Sequence, residues 1–409
     1  MKLLSWNIRG IGRPAKRRKI RKLLLDKTID MVLLQETKQS STNILWVKSI
    51  WPRDKFEFMA VDAEGLAGGL ICIWDPDFFH LSDCCCNRSF ILLSGKIQNS
   101  FDCVITNIYA SNDVVRRKEL WVTLLNLKHS FPKPWCLGGD FNEIRTVGER
   151  IGISCRDRGM KEFNQFIDNC ELVDVPMIGR KFTWCNALDG NKWSRIDRFL
   201  ISSEWLVRFK LILWGLSRTV SDHCPLVLIE DGRDWGPKPY KFLNAWLLHP
   251  NLASIVETTW RETQLQGSDG FLLKKKLQAM KMALKKWSKE VYGNVANKLK
   301  DTESVIHELD LLAEIRPLEE SELTLLREKR NEKWSLNRKL EWEWLQKSRM
   351  DWTLKGDRNT KFFHAMASSR QARNTINSIT VGNASFEEPN AVKQEVWNHF
   401  FKSILYIKF

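Results

Sequence analysis

Short apolar runs alternate with turns rich in Gly, Asp and Asn over the first 230 residues of the chain. This pattern predicts β-strands, because each apolar run is too short and too closely bounded by turn residues to form a helix. Amphipathic stretches between the runs predict helices over 16–25, 116–127 and 160–169. Strands interspersed with helices predict an α/β or α+β sandwich. The predicted strands cover 2–6, 31–34, 69–74, 91–97, 103–109, 135–137, 182–184 and 226–229.

The pattern changes near residue 231, where a segment dense in Gly, Pro and Asp predicts a linker over 231–240. After it, apolar residues recur at alternating spacings of four and three, as in a helix that packs along one seam. A turn at 292–294, a second stripe from Val305 and a third helical stretch over 321–345 predict a helical hairpin or small bundle over 241–350. The first seam contains Leu273, Leu277, Met280, Leu284, Trp287 and Val291.

Charge narrows the class of partner. The chain of 409 residues carries 64 Lys and Arg against 49 Asp and Glu, a net charge of +15, which favours a polyanionic partner such as nucleic acid. A hydrophobic share of 43% excludes a mainly disordered chain. No apolar run approaches the roughly 18 residues that a membrane span needs, and the N-terminus lacks the apolar core of a signal peptide. We therefore expect no membrane partner and no secretion.

Cysteine placement gives a second constraint. All ten cysteines fall between Cys72 and Cys224, and no C-x-x-C pair occurs among them. Without an export signal, the sequence predicts reduced thiols that fill a core, with metal binding as the alternative.

A basic run over 16–22 has two interpretations. It fits the solvated face of an amphipathic helix whose Ile20, Leu23 and Leu24 point inward, and the alternative is a nuclear address. The phosphate-binding loop of P-loop enzymes and the motifs of zinc proteases and serine hydrolases are absent from the sequence. These absences exclude the most common nucleotide-hydrolysing and peptide-hydrolysing classes.

Polar residues follow several predicted strands at the point where each strand ends. Asn7, Glu36, Asp140 and Asn142 come directly after apolar runs, and the string 221–223 (Ser-Asp-His) precedes another. Strand ends gathered on one rim of a sheet are where α/β folds place active sites, although a single carboxylate there can also cap a turn. Together these residues supply hard oxygen ligands, amide donors and one histidine. That set suits a divalent metal and a phosphate.

Six short motifs follow one another along the first 230 residues. They are 6–10 (WNIRG), 34–38 (LQETK), 107–109 (NIY), 138–142 (GGDFN), 194–198 (SRIDR) and 221–223 (SDH). In this order they resemble the motifs of the endonuclease/exonuclease/phosphatase superfamily, and the nearest resemblance is to the apurinic-endonuclease-like nuclease of plant LINE-type (non-LTR) retrotransposons. The resemblance covers roughly residues 1–230. It implies a four-layered α/β sandwich, two packed β-sheets flanked by helices, followed here by the mainly α-helical region.

The resemblance implies how a metal and a water would be held. Glu36 would bind the catalytic Mg²⁺, helped by Asn7 and Asp222, with Mn²⁺ as the alternative ion. Asp140 would orient and deprotonate the attacking water, and Asn142 would donate a hydrogen bond nearby. The identity of the general base and the number of metals stay open.

The resemblance also implies how a phosphate would be held. His223, oriented by Asp197, would contact the scissile phosphate, since a carboxylate partner favours the cationic imidazole. Tyr109 and Thr183 would hold phosphate oxygens, with ordinary strand packing as the alternative, and Ser221 would support His223.

Three arginines flank the motifs. Arg9, Arg195 and Arg198 are expected to contact DNA phosphates, with structural roles as the alternative. The implied reaction is nicking of one strand of double-stranded DNA to leave a 3′-hydroxyl for priming, and the implied location of an active enzyme is the nucleus.

The second half resembles the segment between nuclease and reverse transcriptase in the same elements, through 344–349 (WLQKSR) and 355–364 (KGDRNTKFFH). We expect 351–409 to be the start of this segment, truncated before the polymerase, so no reverse transcriptase activity is predicted. Element RNA is a second expected partner, through the basic helical region. The competing functions are an abasic-site repair nuclease, a phosphatase of the same fold, and an idle nucleic-acid-binding fragment of a decayed element.

Overall fold

The computed structural model describes residues 1–65, 68–152, 157–186, 191–236, 240–264, 266–292, 295–348, 367, 374–382 and 384–406. Contacts divide the chain into two units. One consists of Met1–Asp234 with Ser368–Phe409, and the other of Trp235–Ala367. Residues 293 and 294 of the predicted turn at 292–294, residue 349 of the 344–349 motif and the whole of the 355–364 motif lie outside the described residues.

All strands in the described part of the chain lie in the first unit. They are β1 Lys2–Asn7, β2 Met31–Gln35, β3 Glu57–Val61, β4 Leu70–Trp74, β5 Phe79–Asn87, β6 Phe90–Ile97, β7 Phe101–Tyr109, β8 Trp135–Asp140, β9 Arg150–Ile151, β10 Leu172–Asp174, β11 Met177–Ile178, β12 Trp184–Cys185, β13 Trp193–Ser194, β14 Asp197–Ser202, β15 Leu211–Gly215, β16 Leu226–Glu230, β17 Ile379–Val381 and β18 Ala384–Phe386.

Helices occur in both units. They are α1 Pro14–Lys27, α2 Ile44–Lys48, α3 Val114–Ser130, α4 Asp157–Asn169, α5 Ser203–Arg208, α6 Leu252–Glu262, α7 Asp269–Trp287, α8 Val295–Ile315, α9 Glu320–Ser348 and α10 Pro389–Tyr406. No helix in the described part of the chain is long and apolar enough to cross a membrane.

Two sheets form the centre of the first unit. The seven-stranded sheet has the order β11-β15-β16-β1-β2-β4-β3, and the six-stranded sheet has the order β10-β14-β8-β7-β6-β5. Alternate residues of each strand face opposite sides, so Leu3 of β1 enters the core between the sheets while Leu4 packs towards α1. A third core lies between the six-stranded sheet and helices α3 and α4. This arrangement confirms the predicted α/β sandwich followed by a mainly helical region.

Helix α1 forms as the basic run predicts. Ile20 and Leu24 are fully buried against the seven-stranded sheet, and Leu23 packs partly against the same core. The lysines and arginines between them occupy the remaining faces, because a charge buried without a partner would cost several kcal/mol. Pro14 begins the helix, where its missing N–H leaves no hydrogen bond unmade.

Close packing between strands explains the glycines before Asp140. A Cβ atom built on Gly139 would lie 2.0 Å from the carbonyl oxygen of Ile108 on the neighbouring strand. One built on Gly138 would lie 2.6 Å from the ring of Phe199. Both positions therefore require glycine, and the close approach fixes β8 between β7 and β14.

The cysteine prediction is correct for the core and wrong for one strand. Cys72, Cys103 and Cys136 are buried between the sheets, and all nine described cysteines are free thiols. Cys84 and Cys86 are instead exposed, because they lie on β5, which is the edge strand of its sheet.

The second unit is helical. Helices α8 and α9 run antiparallel, as shown by the ion pairs Arg330–Asp310 and Lys333–Glu303, and they enclose a small apolar cluster around Leu309. The predicted α7 seam is only half buried: Leu284 and Trp287 are in the core, whereas Leu273 and Leu277 are exposed. The apolar spacing therefore predicts the helix over its whole length but the packing only over its second half.

Candidate active site

Strand register brings the predicted polar residues to one edge of the two sheets. β1 and β2 are parallel, with Asn7 paired with Gln35, so Asn7 and Glu36 leave the sheet side by side. In the other sheet, Asp140 at the end of β8 is paired with Tyr109 of β7 and with Asp197 of β14. The site is thus assembled by strand ends that are far apart in the sequence.

The Asn7 side chain joins the two sheets at this edge. Its Nδ2 donates hydrogen bonds to Glu36 Oε1 at 3.0 Å and to Asp140 Oδ2 at 2.9 Å. Its Oδ1 accepts from the backbone N–H of Arg9 at 3.1 Å. In this arrangement Asn7 holds two carboxylates close together as a donor, instead of offering the oxygen that the sequence predicts.

His223 and Asp197 form a buried pair beside Asp140. The His223 Nδ1 donates to both carboxylate oxygens of Asp197, at 3.0 and 2.9 Å, and its Nε2 lies 4.0 Å from Asp140 Oδ2. Burial alone would lower the pKa of His223, but the charge and hydrogen bonds of Asp197 outweigh burial and raise it to about 9. The imidazole is therefore cationic at neutral pH, with Nε2–H directed towards the cavity.

Asp140 is the other unusual titrating group of the site. Burial, reinforced by the negative charge of Asp197, raises its pKa to about 7, against the opposing charge of His223. The backbone N–H of Asn142 donates to Asp140 Oδ1 at 3.0 Å, and the Asn142 Nδ2 donates to the carbonyl of Ala110 at 2.7 Å. A carboxylate whose pKa lies near neutrality is suited to accept a proton from water.

The Ser221–His223 string supports the site from the loop before β16. Ser221 Oγ donates to the carbonyl of Asn7 at 2.7 Å and accepts from the backbone N–H of His223 at 3.2 Å. Asp222 Oδ2 accepts from Arg9 Nη1 at 2.5 Å and from Trp184 Nε1 at 2.9 Å. Asp222 thus lies at the site but is hydrogen-bonded to protein groups.

Tyr109 and Thr183 differ in where they lie. The half-buried phenol of Tyr109 is hydrogen-bonded to Glu36, and burial together with that carboxylate raises its pKa well above the usual range. Thr183 is fully buried, and its Oγ1 accepts from the backbone N–H groups of Ile196 and Asp197, each at 3.0 Å. For Thr183 these contacts favour a structural role over the predicted phosphate contact, since its hydroxyl fixes the strand that carries Asp197.

Arg195 and Arg198 also depart from the predicted phosphate contacts. Arg198 is completely buried and pairs with Asp174 at 2.7 Å and with Glu149. Arg195 pairs with the same two carboxylates, at 2.9 and 3.2 Å. Both guanidiniums are therefore neutralised inside the protein, which favours the structural alternative. They hold β14 against the segment before β9 and against β10.

Residues 4–223 match the Endonuclease/Exonuclease/phosphatase family. The match spans more than half of the chain and contains every residue of the cluster. The chain belongs to this family.

Among solved structures, the family domain is similar to the AP endonuclease LMAP from Leishmania major, with 16% identity over 56% of this chain and 86% of that chain and a TM-score of 0.46. The 3′ phosphatase NExo from Neisseria bound to a product DNA hairpin shares 18% identity over 56% of this chain and 99% of that chain, with a TM-score of 0.45. The endonuclease domain of TRAS1, a telomere-specific non-LTR retrotransposon, shares 14% identity over 56% of this chain and 97% of that chain, with a TM-score of 0.42. No curated protein matches the chain.

A cavity of about 460 Å³ opens over the cluster in the family domain. Its lining includes Glu36, Asp140 and His223, together with Arg150 and Trp184, which the sequence analysis missed. The sequence predicts that Trp184 lies in a strand, but no sequence pattern indicates that its indole would reach Asp222. Arg150 belongs to a two-residue strand that no periodicity marks.

The donor chemistry of the family domain fits a divalent cation. Glu36 and Asp140 present carboxylate oxygens that accept from one shared amide, and hard oxygen donors suit Mg²⁺ or Mn²⁺. Asp140, Asp197 and His223 also lie within 4.8 Å of one another. In that trio, however, both Asp197 oxygens accept from the imidazole, so a metal would have to displace a proton. Glu36 and Asp140 are the better candidates for metal ligands.

Proposed function

We propose that the chain is a Mg²⁺-dependent phosphodiesterase that nicks one strand of double-stranded DNA and leaves a 3′-hydroxyl. One observation carries the proposal: a buried imidazolium, held by Asp197, lies 4.0 Å from Asp140, and both residues line a cavity that Glu36 also lines. A fixed cation opposite a carboxylate of near-neutral pKa provides the two charges that hydrolysis of a phosphodiester requires.

Asp140 has two roles in this proposal, and each of the other residues has one. Asp140 orients the attacking water and accepts its proton, and Asn142 fixes the Asp140 carboxylate through its backbone N–H. His223 donates from Nε2 to a phosphate oxygen, where its charge opposes the negative charge that develops during attack. Glu36, with Asp140, would hold the metal ion, which would supply Lewis-acid stabilisation of phosphate charge.

A basic cavity beside the active-site cavity supports DNA as the substrate. This second cavity, of about 590 Å³, is lined by Arg9, Arg13, Lys16 and Lys19, with no acidic residue among its described lining residues. Burial and the neighbouring positive charges lower the pKa of Lys16, which shows that cations are crowded here. Binding of a polyanion reduces the electrostatic repulsion between these closely spaced positive charges.

We expect Arg13→Gln combined with Lys19→Gln to weaken binding of a DNA duplex about tenfold at low salt. Each lost phosphate contact should also reduce the slope of log affinity against log salt by about 0.9. Fluorescence anisotropy across a salt series measures both quantities, with Arg18→Gln combined with Lys55→Gln as a charge-matched control at exposed positions outside the lining. An equal loss in the control would contradict a local DNA contact.

The pH dependence of nicking tests the His223–Asp197 pair. Because the folded pKa of His223 is raised to about 9, its cationic form persists below that value and is lost as pH rises through it. We therefore expect activity to fall on the alkaline side near pH 9. Asp197→Asn removes the charge that raises this pKa, so the alkaline limb should move at least two pH units lower. An unmoved limb would show that His223 does not set it.

We further propose that the chain derives from a plant LINE-type retrotransposon, in which residues 1–230 form the nuclease domain, 241–350 a helical connector and 351–409 part of the segment before a reverse transcriptase. The six ordered motifs in the first half and the 344–349 and 355–364 strings in the second support this origin. An active enzyme would work in the nucleus, with element RNA as a second partner. A reverse transcriptase reading frame in the adjoining DNA would support the origin, and unrelated sequence there would contradict it.

A substrate panel separates the proposed nuclease from other activities of the fold. Supercoiled plasmid, a duplex with one abasic site, a duplex with a 3′-phosphate and an inositol phosphate are each incubated with the full chain and Mg²⁺. We expect open circles from the plasmid at a rate within about tenfold of cleavage at the abasic site. Cleavage confined to the abasic duplex would indicate a repair enzyme, and phosphate release alone would indicate a phosphatase.

A further inference from the structure

Arg9 lies on the boundary between the two cavities of the first unit. It lines the active-site cavity together with Glu36 and Asp140, and it also lines the basic cavity together with Arg13 and Lys16. Arg9 therefore lies close both to a cation bound in the active-site cavity and to a phosphate bound in the basic cavity.

The Arg9 guanidinium is paired with two carboxylates of the active site. Nη1 donates to Asp222 Oδ2 at 2.5 Å, and Nε lies 4.0 Å from Glu36 Oε2, an oxygen that the Lys38 ammonium also approaches, at 3.8 Å. Asp222 and Glu36 are mostly buried, with 6% and 14% of their side chains exposed, whereas 51% of the Arg9 side chain is exposed. The guanidinium therefore spans two carboxylates from the solvent side, as a built-in counter-ion.

The backbone holds Arg9 in this position. Arg9 has a φ of 45° and Glu36 a φ of 51°, the left-handed region that non-glycine residues seldom adopt. The loops that carry them are joined by backbone hydrogen bonds from Ile8 to Gln35, from Gly10 to Glu36 and from Ile11 to Thr37, at 2.6–3.1 Å. Such conformations persist where the surrounding structure determines them, so the approach of Arg9 to Glu36 is built into the fold.

The same guanidinium keeps a donor available for a second partner. Within the described part of the chain, Nη2 makes no hydrogen bond, and the side chain reaches the solvent between the two cavities. A guanidinium binds phosphate through two parallel hydrogen bonds, which is stronger than a single contact to a carboxylate. A DNA phosphate in the basic cavity would therefore compete with Asp222 and Glu36 for Arg9.

We propose that Arg9 couples DNA binding to metal binding, by neutralising the Glu36–Asp222 side of the site until a DNA phosphate draws its guanidinium away. The inference rests on the proposed function, because it assumes that Glu36 helps to hold a divalent cation. Coulombic repulsion decides the direction of the effect on metal affinity. The Arg9 cation near Glu36 weakens the binding of a metal cation there, and moving the guanidinium away strengthens that binding. Coupling between two sites is reciprocal, so metal must also strengthen DNA binding.

Mn²⁺ binding to the full chain tests the coupling without any turnover. We expect Arg9→Gln to bind Mn²⁺ about tenfold more tightly than the wild type, as measured from the free Mn²⁺ signal in electron paramagnetic resonance. Arg13→Gln is the matched control, since it removes one positive charge from the same rim without contacting either carboxylate. Arg13→Gln should stay within about twofold of the wild type, and thermal melts of the three proteins should coincide.

DNA affinity supplies the reciprocal measurement. With a duplex whose linkages are phosphorothioates, Mn²⁺ should tighten DNA binding by the wild type about tenfold more than it tightens binding by Arg9→Gln. If Arg9→Gln binds Mn²⁺ no more tightly than the wild type, the proposal is overturned. It is also overturned if Arg13→Gln gains as much Mn²⁺ affinity as Arg9→Gln. Failure of plasmid nicking with the Mn²⁺ pattern intact would refute the nuclease and leave the coupling standing.

Discussion

Replacing His223 with alanine is expected to lower the rate of plasmid nicking by about 10³-fold. A fixed donor aimed at developing negative charge contributes about 10²–10³ in rate, and here the donor also carries a full charge. The imidazole carries this charge at neutral pH because Asp197 raises the pKa of His223 to about 9. Initial rates of open-circle formation, at saturating DNA and fixed Mg²⁺, measure the loss.

A second histidine provides the control for this loss. His80 lies exposed on the edge strand β5 of the same unit, and His80→Ala should retain the wild-type rate within about twofold. DNA affinity of His223→Ala should change only a few-fold, since the effect belongs to the reaction step. If His223→Ala keeps more than a tenth of the wild-type rate, the imidazolium has no part in the reaction.

Replacing Arg198 with methionine is expected to lower the free energy of unfolding by about 3–5 kcal/mol. Arg198 is completely buried between Asp174 and Glu149 and lies over the ring of Phe163, and removing one partner of a buried ion pair leaves a carboxylate uncompensated. Arg195 still pairs with both carboxylates, which places the expected loss towards the lower limit. Urea unfolding followed by tryptophan fluorescence gives the value.

An exposed pair provides the matched comparison. Lys55 and Asp77 are 3.0 Å apart but 71% and 72% exposed, so Lys55→Met should cost no more than about 1 kcal/mol. Similar losses for Arg198→Met and Lys55→Met would show that the buried network contributes little.

The penalty for losing Arg198 should shrink in acid. In the wild type, the charges of Arg198 and its neighbour Arg195 keep the pKa values of Asp174 and Glu149 below their usual range, although burial opposes this. A lowered folded pKa contributes stability above the unfolded value near 4, and that stability is lost as pH falls through the folded pKa. The variant lacks part of this contribution, so its difference from the wild type should be largest near neutral pH and smaller below about pH 4.

The sequence predicts which polar residues meet at the edge of the sheets because its signals are local. Asn7, Glu36 and Asp140 each follow an apolar run, and the ends of neighbouring strands meet at one edge of a sheet. The structure places these residues within hydrogen bonds of one another, as that reasoning requires. Helices α1, α3 and α4 and strands β1, β2, β4, β6, β7, β8 and β16 were predictable for the same reason.

Contacts between distant segments were not predictable in this way. Arg198 meets Glu149 across 49 residues, and Arg9 meets Asp222 across 213, so no spacing rule connects either pair. The motif position of Arg195 left both a DNA contact and a structural role open, and the structure pairs its charge with Asp174. The edge strand β5 was also missed, because its run of polar and cysteine residues lacks the apolar alternation of a half-buried strand.

Nicking of supercoiled plasmid by the full chain is the most direct test of the proposed function. The wild type with Mg²⁺ should convert supercoiled DNA to open circles whose 3′ ends a DNA polymerase extends without further treatment. Asp140→Asn, which keeps the size of the side chain but cannot accept the proton from water, should form them at least 10²-fold more slowly, and a chelator of divalent cations should abolish them. Equal rates for the wild type and Asp140→Asn, or no open circles from either, would contradict the account.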